Sequence, residues 1–248
     1  MEPVFRTLEI LGRTAVRATG TRITYQGLEH IPASGGAVVA INHTSYLDFL
    51  PAALAAMYRK RRLRFMIKAE MQDVRIVNFL IKHSKTIPVD RRAGADAYGM
   101  AVDELRAGEL VGVYPEATIS RSFELKEFKS GAVRMAQEAR VAIVPLIVWG
   151  AQRIWTKDHP KHLGRKKIPI TVAVGAPYVP AGSVEQAIGE LRDAMDTLLS
   201  RVQGEYPHPE GAYWVPRRLG GGAPTMEQAR QLDEAELAER ARKRAGQS

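Results

Sequence analysis

The chain has 248 residues, of which 45% are hydrophobic and 25% are charged, and this is enough for one main domain with a sizeable buried core. The formal net charge of +9 indicates an anionic partner, and composition alone leaves nucleic acid, lipid headgroups and a phosphorylated substrate open. The sequence contains no cysteine, so disulfides, thiolate metal sites and cysteine nucleophiles are excluded.

The first twenty residues are predicted to form an amphipathic helix, with apolar and basic side chains on different faces. The apolar side chains are Val4, Leu8, Leu11 and Ala15, and the basic ones are Arg6, Arg13 and Arg17. Such a helix either packs on a protein core or lies in a lipid interface. No apolar run reaches the length of about 18 residues that spans a bilayer, and Glu2 and Glu9 argue against a signal peptide. We therefore expect a chain that does not cross the membrane by itself.

From residue 22 onwards, apolar runs rich in Val and Ile alternate with longer helical patterns, which is typical of βαβ units. The predicted strands are 22–26, 36–41, 63–67, 86–89, 110–114, 141–148 and 168–174. The predicted helices between them are 45–57, 70–83, 95–107, 130–139 and 183–202. The pattern predicts the α/β fold class, with a mainly parallel central sheet flanked by helices.

A second basic segment, residues 59–64, follows the apolar stretch 49–57. We interpret it either as a solvated charged edge or as a contact with an anionic membrane surface. From residue 204 the chain is rich in Gly, Pro and aromatic residues and then highly charged, which indicates a tail and not a second domain. Thr225 and Gln228 resemble a capping box, so a solvated helix is predicted near the end. The expected organisation is a membrane-associating helix (1–20), a main domain (21–203) and a tail (204–248).

The segment INHTSYLD at residues 41–48 comes directly after a predicted strand and opens a predicted helix. Open α/β sheets bind their ligands at this carboxyl edge of the strands. If Ser45 is the N-cap, Asp48 falls in the first helical turn and its carboxylate can fold back onto His43, which makes a general-base pair. The alternatives are that His43 is a hydrogen-bonded turn residue and that Asp48 only completes a capping box with Ser45.

Further polar side chains follow other predicted strands: they are Lys68, the pair Arg91 and Arg92, and Glu116. If the strands are parallel, these groups converge on the edge that carries His43. Lys and Arg form strong, geometrically selective contacts with phosphate. A base beside several cations and a carboxylate therefore predicts a site for a phosphorylated substrate that loses a proton.

Asn42 and His43 with Asp48 resemble the NHxxxxD block of the glycerolipid acyltransferases, the family of the lysophosphatidic acid acyltransferases. Further blocks resemble those of the family in the same order: FMIKAE at 65–70, IPVDR at 87–91, YPE at 114–116, FKSG at 128–131 and IVPL at 143–146. The resemblance runs from about residue 36 to about residue 178. The main domain is accordingly expected to be an acyltransferase domain.

The resemblance implies a role for each matching residue. His43 deprotonates the acceptor hydroxyl, and Asp48 orients His43. Lys68 and Arg91 help to hold the phosphate of the acceptor, and Glu116 binds its glycerol part.

One block departs from the family pattern. The family's Glu-Gly-Thr-Arg-Ser appears here as EATISRS at 116–122, with Ala117 in place of Gly and two extra residues before Arg121. Arg121 is assigned to the acceptor site at this shifted position. The same variant resembles an actinobacterial branch of the family, so we interpret it as lineage and not as lost activity.

The implied reaction moves a fatty acyl chain from acyl-CoA or acyl carrier protein to lysophosphatidic acid or a related lysophospholipid, making phosphatidic acid. Direct transfer without an acyl-enzyme is expected, with the oxyanion held by backbone N–H groups at the helix start. We expect no metal and no other cofactor. The expected partner is a membrane surface and not nucleic acid, with a peripheral or monotopic location at the cytoplasmic face of the cell membrane.

Two other functions stay open. A metal-dependent phosphohydrolase would use His43, Asp48 and the cluster DHPKH at 158–162 as ligands, although no apolar shell is indicated around that cluster. A basic nucleic-acid-binding protein is supported by net charge alone, because no aromatic residues interleave with the basic segment 59–64.

Overall fold

A seven-stranded sheet forms the centre of the computed structural model, which describes residues 3–68, 87–89 and 94–245. The strands in these ranges are β1 (Arg22–Gln26), β2 (Ala37–Ile41), β3 (Leu63–Lys68), β4 (Ile87–Val89), β5 (Leu110–Val113), β6 (Ala142–Trp149) and β7 (Pro169–Val174). Their spatial order is β1-β7-β6-β2-β5-β3-β4. Strands β6, β2, β5, β3 and β4 are parallel, whereas β7 is antiparallel to β6 and β1 is parallel to β7. The predicted α/β fold with a mainly parallel sheet is confirmed.

The five parallel strands end at one edge of the sheet, which we call the carboxyl edge. Strand β2 leaves the sheet at Ile41, β5 leaves it at Val113, and β3 leaves it at Lys68. Because β2 pairs with β5 and β5 pairs with β3, the segments that follow these strands are neighbours. The prediction that the carboxyl ends of these strands lie at the same edge is confirmed for β2, β5 and β3.

Helices cover both faces of the sheet. They are α1 (Pro3–Thr19), α2 (Phe49–Tyr58), α3 (Gly94–Arg106), α4 (Gly131–Ala139), α5 (Val184–Glu205) and α6 (Met226–Ala245). The predicted helix 70–83 lies outside the described residues. Within the described part of the chain, no helix has the length and apolar character needed to cross a membrane.

Strand β2 shows why the sheet has helices on both sides. All five of its residues are buried, and alternate side chains belong to different cores because successive residues of a strand point to opposite faces. Val38 and Ala40 pack in the core formed with α3, α4 and α5. Val39 and Ile41 pack in the core formed with α2. A run of small and branched apolar residues such as this one is typical of a parallel central strand.

The segment after α5 packs on the first of these cores. Trp214, Val215 and Ala223 are buried there, so the predicted tail begins with residues that belong to the main core. Helix α6 follows, and its predicted capping box is confirmed: the Thr225 N–H donates to Gln228 Oε1 at 3.0 Å and the Gln228 N–H donates to Thr225 Oγ1 at 3.2 Å. The division into units at residues 20 and 203 stays a prediction.

The basic segment 59–64 is held largely by the protein itself. The Arg61 guanidinium donates to three main-chain carbonyls, those of Pro32 (2.9 Å), Gly35 (2.9 Å) and Gly108 (2.6 Å). Arg64 is 3% exposed and pairs with Glu109 at 3.0 Å. A solvated edge is therefore a wrong interpretation for Arg61 and Arg64, because both guanidinium groups bind protein oxygens.

Candidate active site

The turn that carries His43, residues 42–48, begins with a side chain that continues the sheet. Asn42 is fully buried, its Nδ2 donates to the Val148 carbonyl at 3.1 Å, and its Oδ1 accepts from the Val148 N–H at 2.7 Å. The amide therefore reproduces a two-way ladder bond to β6 after β2 has ended. This fixes the direction in which the chain leaves the sheet. We call residues 42–48 the histidine turn.

The Asp48 carboxylate closes the histidine turn from inside. Asp48 is fully buried, and its Oδ2 accepts from the Thr44 N–H at 2.8 Å and the Ser45 N–H at 2.7 Å. The same oxygen lies 3.2 Å from His43 Nδ1. Burial raises the pKa of Asp48, and the hydrogen bond with His43 opposes that shift. The predicted pair of His43 and Asp48 is present.

The predicted start of α2 at residue 45 is wrong by four residues. The helix begins at Phe49, with Asp48 as its N-cap and no side-chain capping bond. Ser45 does not cap the helix because its Oγ donates to the carbonyls of Ala151 at 3.1 Å and Trp155 at 2.7 Å. The carboxylate of Asp48 is likewise engaged with the turn and not with α2.

The His43 ring is oriented by two groups, Tyr114 and Asp48. Its ring stacks on Tyr114 with centroids 4.1 Å apart and an interplanar angle of 22°. Because a carboxylate only accepts hydrogen bonds, the contact with Asp48 requires the proton on Nδ1 and leaves the lone pair of Nε2 for a substrate. The side chain is 19% exposed, so it is accessible from the surface. This is the arrangement of a general base.

Glu116 holds the main chain of His43. Its Oε1 accepts the His43 N–H at 2.8 Å, and its Oε2 accepts the Lys126 N–H at 3.0 Å. The His43 carbonyl accepts the Ser120 N–H at 2.7 Å, so the loop after β5 binds both main-chain groups of His43. Burial raises the pKa of Glu116 to about 7. Its expected contact with the acceptor stays a prediction.

The N–H groups of residues 44–47 in the histidine turn all have acceptors within the protein. Those of Thr44 and Ser45 donate to Asp48. The Tyr46 N–H donates to the Trp155 carbonyl at 3.2 Å, and the Leu47 N–H donates to Ser45 Oγ at 3.0 Å. The N–H groups of residues 44–47 are therefore bonded within the protein, and oxyanion binding at the start of α2 stays a prediction.

The other predicted site residues are placed as follows. Arg121 is 8% exposed and forms ion pairs with Asp158, Asp233 and Glu236. Lys68 ends β3 at the carboxyl edge, beside the strand that leads to Glu116. Arg91 lies outside the described residues.

The cluster at 158–162 takes part in ring and ion-pair contacts. His159 stacks on Tyr213 with centroids 4.0 Å apart, and the His162 ring lies 6.5 Å from the same tyrosine. Asp158 pairs with Arg121. Among the residues that the structure describes, no group of three His, Cys, Asp or Glu side chains is placed to hold a metal ion. The phosphohydrolase alternative gains no support from these contacts.

An apolar groove of about 220 Å³ lies beside the histidine turn. Its lining includes Ala15 and Val16 of α1, Leu47 of the turn, Leu50 of α2, and Ile154 and Leu163 of the loop after β6. Leu163 is 63% exposed, so the groove opens to the surface. Apolar surface therefore reaches the histidine turn.

Comparison with known proteins places this geometry in a family. The family model described as Acyltransferase matches residues 22–149. The 1-acyl-sn-glycerol-3-phosphate acyltransferase of Borreliella burgdorferi is 28% identical over 144 residues, which are 56% of this chain and 56% of that protein. The probable 1-acyl-sn-glycerol-3-phosphate acyltransferase of Mycoplasma pneumoniae is 33% identical over 139 residues, which are 53% of this chain and 51% of that protein. The chain thus spans about half the length of these two relatives.

A solved structure shows the same fold. The crystal structure of the 1-acyl-sn-glycerophosphate acyltransferase PlsC from Thermotoga maritima matches with a TM-score of 0.68 and 20% identity, over 82% of this chain and 81% of that one. The actinobacterial branch stays a prediction. The family model covers more than half of the sequence and spans β1 to β6, with His43, Asp48 and Glu116 inside it. This chain belongs to the Acyltransferase family.

Proposed function

We propose that this protein transfers a fatty acyl chain from an acyl thioester, acyl-CoA or acyl carrier protein, to the free hydroxyl of lysophosphatidic acid or a related lysophospholipid. The product with lysophosphatidic acid is phosphatidic acid. The observation that carries the proposal is the partly exposed His43 ring paired with the buried Asp48 carboxylate at the carboxyl edge. The names of the relatives support this choice of substrates.

The proposed mechanism is one direct transfer. Nε2 of His43 takes the proton of the acceptor hydroxyl while the oxygen attacks the thioester carbonyl carbon, and Asp48 stabilises the imidazolium. The tetrahedral intermediate then expels the thiolate, which takes the proton back from His43. The C–O ester bond forms, the C–S bond breaks, and a free thiol leaves. No acyl-enzyme and no metal or other cofactor enters this scheme.

The acceptor phosphate is proposed to bind beside the base, with Lys68 and Arg91 as two of its partners. The end of β3 at Lys68 supports this, because only β5 lies between β3 and β2 and the strands end at the same edge. Glu116 and Arg121 belong to the same proposed site. Glu116 already holds the His43 main chain, so it would act on the acceptor while fixing the position of the base.

A membrane surface is the proposed partner, and α1 is the proposed contact. Ile10 and Leu11 of this helix are each 58% exposed, whereas Gly12 is buried against α2. Tyr46 and Phe49, in and next to the histidine turn, are 44% and 45% exposed. Aromatic and apolar side chains beside basic ones are typical of a lipid interface. We propose a peripheral or monotopic location at the cytoplasmic face of the cell membrane.

Product analysis by mass spectrometry tests this function. Purified protein is given lysophosphatidate, glycerol 3-phosphate or another lysophospholipid together with a mixed pool of acyl-CoA. We expect the acylated acceptor and free thiol in equal amounts, unchanged by a metal chelator and absent with His43→Ala. Release of inorganic phosphate without acylated product, and loss of that release with chelator, would show the phosphohydrolase instead.

A further inference from the structure

Three cations meet beside the histidine turn: Arg121, Lys126 and Lys157, which we call the cation cluster. The Asp233 carboxylate of α6 contacts all three, since its Oδ1 pairs with Arg121 and Lys157 and its Oδ2 pairs with Lys126. Glu236, one helical turn further on, lies 2.9 Å from Arg121 and 2.9 Å from Lys157. All three cations therefore surround the position that the Asp233 carboxylate occupies.

The segments that carry the cation cluster are hydrogen-bonded to the histidine turn or to Glu116, which binds the His43 N–H. These bonds run from the Ser120 N–H to the His43 carbonyl (2.7 Å), from the Thr156 hydroxyl to the Thr44 carbonyl (2.7 Å), and from the Lys126 N–H to Glu116 (3.0 Å). Ser120 and Thr156 directly precede Arg121 and Lys157. Arg121 and Lys157 are therefore each one residue away from a group that bonds the histidine turn.

The charges of the cluster match a phosphate. Asp158 also pairs with Arg121, so the three cations with Asp158 carry a formal charge of +2 when the two α6 carboxylates are left out. A phosphate monoester carries about −1.5 to −2 at pH 7, the same charge that Asp233 and Glu236 bring together. Arg and Lys bind carboxylate and phosphate with the same donors. The two carboxylates therefore occupy the cluster as a phosphate would.

Helix α6 has few other means of attachment among the contacts that the structure describes. Its large apolar side chains Met226, Leu232 and Leu237 are 43%, 45% and 58% exposed, and Ala229 is buried. Burial alone would raise the pKa of Glu236, but the contacts with Lys157 and Arg121 outweigh it and lower the pKa to about 2. The carboxylate is thus charged at neutral pH. The contacts of Asp233 and Glu236 with the cluster are ion pairs, so an anion of similar charge competes for the same donors.

We propose that Arg121, Lys126 and Lys157 form a binding pocket for a phosphate group of one of the two substrates, and that α6 competes for this pocket with the carboxylates of Asp233 and Glu236. The inference rests on the proposed acyltransferase function. It adds a pocket of defined composition and an intramolecular competitor that must withdraw before that substrate binds. Helix α6 thereby lowers the affinity of the resting protein for its phosphorylated substrate.

The test is the full-length double variant Asp233→Asn, Glu236→Gln, which keeps the shape of both side chains and removes their charge. The matched control is Glu227→Gln, Glu239→Gln on the same helix, where both carboxylates pair with cations of α6 itself. A pocket that is closed for nine-tenths of the time weakens apparent binding about tenfold. We expect the double variant to lower one KM by about threefold to tenfold and the control to change neither KM by more than about twofold.

The substrate whose KM falls identifies the source of the phosphate. A lower KM for the lysophospholipid assigns the pocket to the acceptor, and a lower KM for the acyl thioester assigns it to the phosphates of the donor. If neither KM falls and the melting temperature drops, α6 is only a structural clamp and the proposal is wrong. Should the double variant fold poorly, the single variant Glu236→Gln gives the same comparison with two contacts fewer at the cluster.

A binding measurement separates this inference from the proposed activity. Inorganic phosphate is titrated into the wild type and the double variant, and the melting temperature is followed without any substrate. We expect phosphate to stabilise the double variant more than the wild type, and an added Arg121→Gln substitution to remove that gain. Equal stabilisation of all three proteins overturns the pocket even if the protein is an acyltransferase. A gain confined to the double variant supports it even if acyl transfer is never observed.

Discussion

The Glu116 carboxylate binds the main chain of His43 and not its ring, with the His43 N–H 2.8 Å from Oε1. The imidazole is instead held at Nδ1 by Asp48. The two carboxylates thus have separate tasks: one fixes where the residue is, and the other fixes how its ring is protonated. Both are buried, so both keep these contacts out of competition with water.

Replacing His43 by Ala should abolish transfer while leaving the fold intact. General-base catalysis typically contributes about two to four orders of magnitude, so kcat should fall by that amount. The steady-state rate and the melting temperature are measured together. Near-normal turnover by a folded variant would contradict the assignment of the base.

Asp48→Asn should lower both the rate and the stability. The amide loses the charge that stabilises the imidazolium, and it is a weaker acceptor for the buried N–H groups of Thr44 and Ser45. We expect a loss of about 1 to 3 kcal/mol in the free energy of unfolding. Asp103→Asn on α3, where the carboxylate is exposed, serves as the control. Equal kcat in both variants would show that Asp48 does not act on His43.

Glu116 should make stability depend on pH. Burial raises its pKa from 4.5 in the unfolded chain to about 7 in the folded protein, so the folded state binds the proton more tightly. The wild type should therefore lose unfolding free energy relative to Glu116→Gln as the pH rises from about 4.5 to about 7. Chemical denaturation at several pH values measures this difference, in which the other titrating groups cancel. A difference that does not vary with pH would place the carboxyl pKa in its ordinary range.

Lys68→Ala and Arg91→Ala should each raise the KM for the phosphorylated acceptor much more than the KM for the thioester. The reason is that each substitution removes a cation from the proposed acceptor site, where charge-assisted phosphate contacts contribute strongly. Initial rates with either substrate varied give both constants. If only the constant for the thioester rises, these cations serve the donor and the acceptor phosphate lies elsewhere.

Membrane binding should depend on the exposed apolar side chains of α1. Leu11→Asp removes apolar surface from the interface and adds a charge that anionic lipids repel, so less protein should pellet with anionic vesicles. Leu237→Asp on α6 is a matched control, because Leu11 and Leu237 are both 58% exposed. Equal pelleting of the two variants would show that α1 is a structural helix.

A test of the basic residues in membrane binding should use cations that do not bind the protein's own main chain. Reversing the charge of Arg61 would break three bonds to main-chain carbonyls, so lost vesicle binding would not be specific. Arg13 and Arg17 of α1 are exposed, and each cation near an anionic leaflet contributes about 1 kcal/mol. Co-sedimentation of Arg13→Glu, Arg17→Glu should therefore fall while the melting temperature stays unchanged.

The strands and the pairing of His43 with Asp48 could be predicted because local sequence carries them. Runs of Val and Ile mark β2 and β6 within a residue or two, and the histidine turn connects two residues only five apart. The start of α2 could not be predicted in this way. Ser45 looks like a helix cap, but its hydroxyl binds carbonyls of residues 151 and 155, more than a hundred positions later.

The partners of the basic side chains could not be predicted from the sequence either. Arg61 looks solvated in sequence, and the three carbonyls that it binds come from two distant loops. Asp233 and Glu236 have the same i, i+3 spacing as many exposed acidic residues on charged helices. Only the docking of α6 distinguishes them from Glu239, which pairs within its own helix.

The contact between Gly12 and Leu50 has a consequence for how the protein would sit on a lipid surface. A Cβ at Gly12 would lie only 2.8 Å from Leu50 Cδ1, so the absence of a side chain at this position allows the close approach of α1 to α2. The proposed lipid-facing helix therefore packs directly on the helix that follows the histidine turn. The depth to which α1 inserts into the lipid would therefore set the height of the imidazole above the headgroups. That height would determine which hydroxyl of a lipid in the leaflet can reach Nε2. A bulkier residue at position 12 should change the angle between α1 and α2, while leaving the contact between His43 and Asp48 in place.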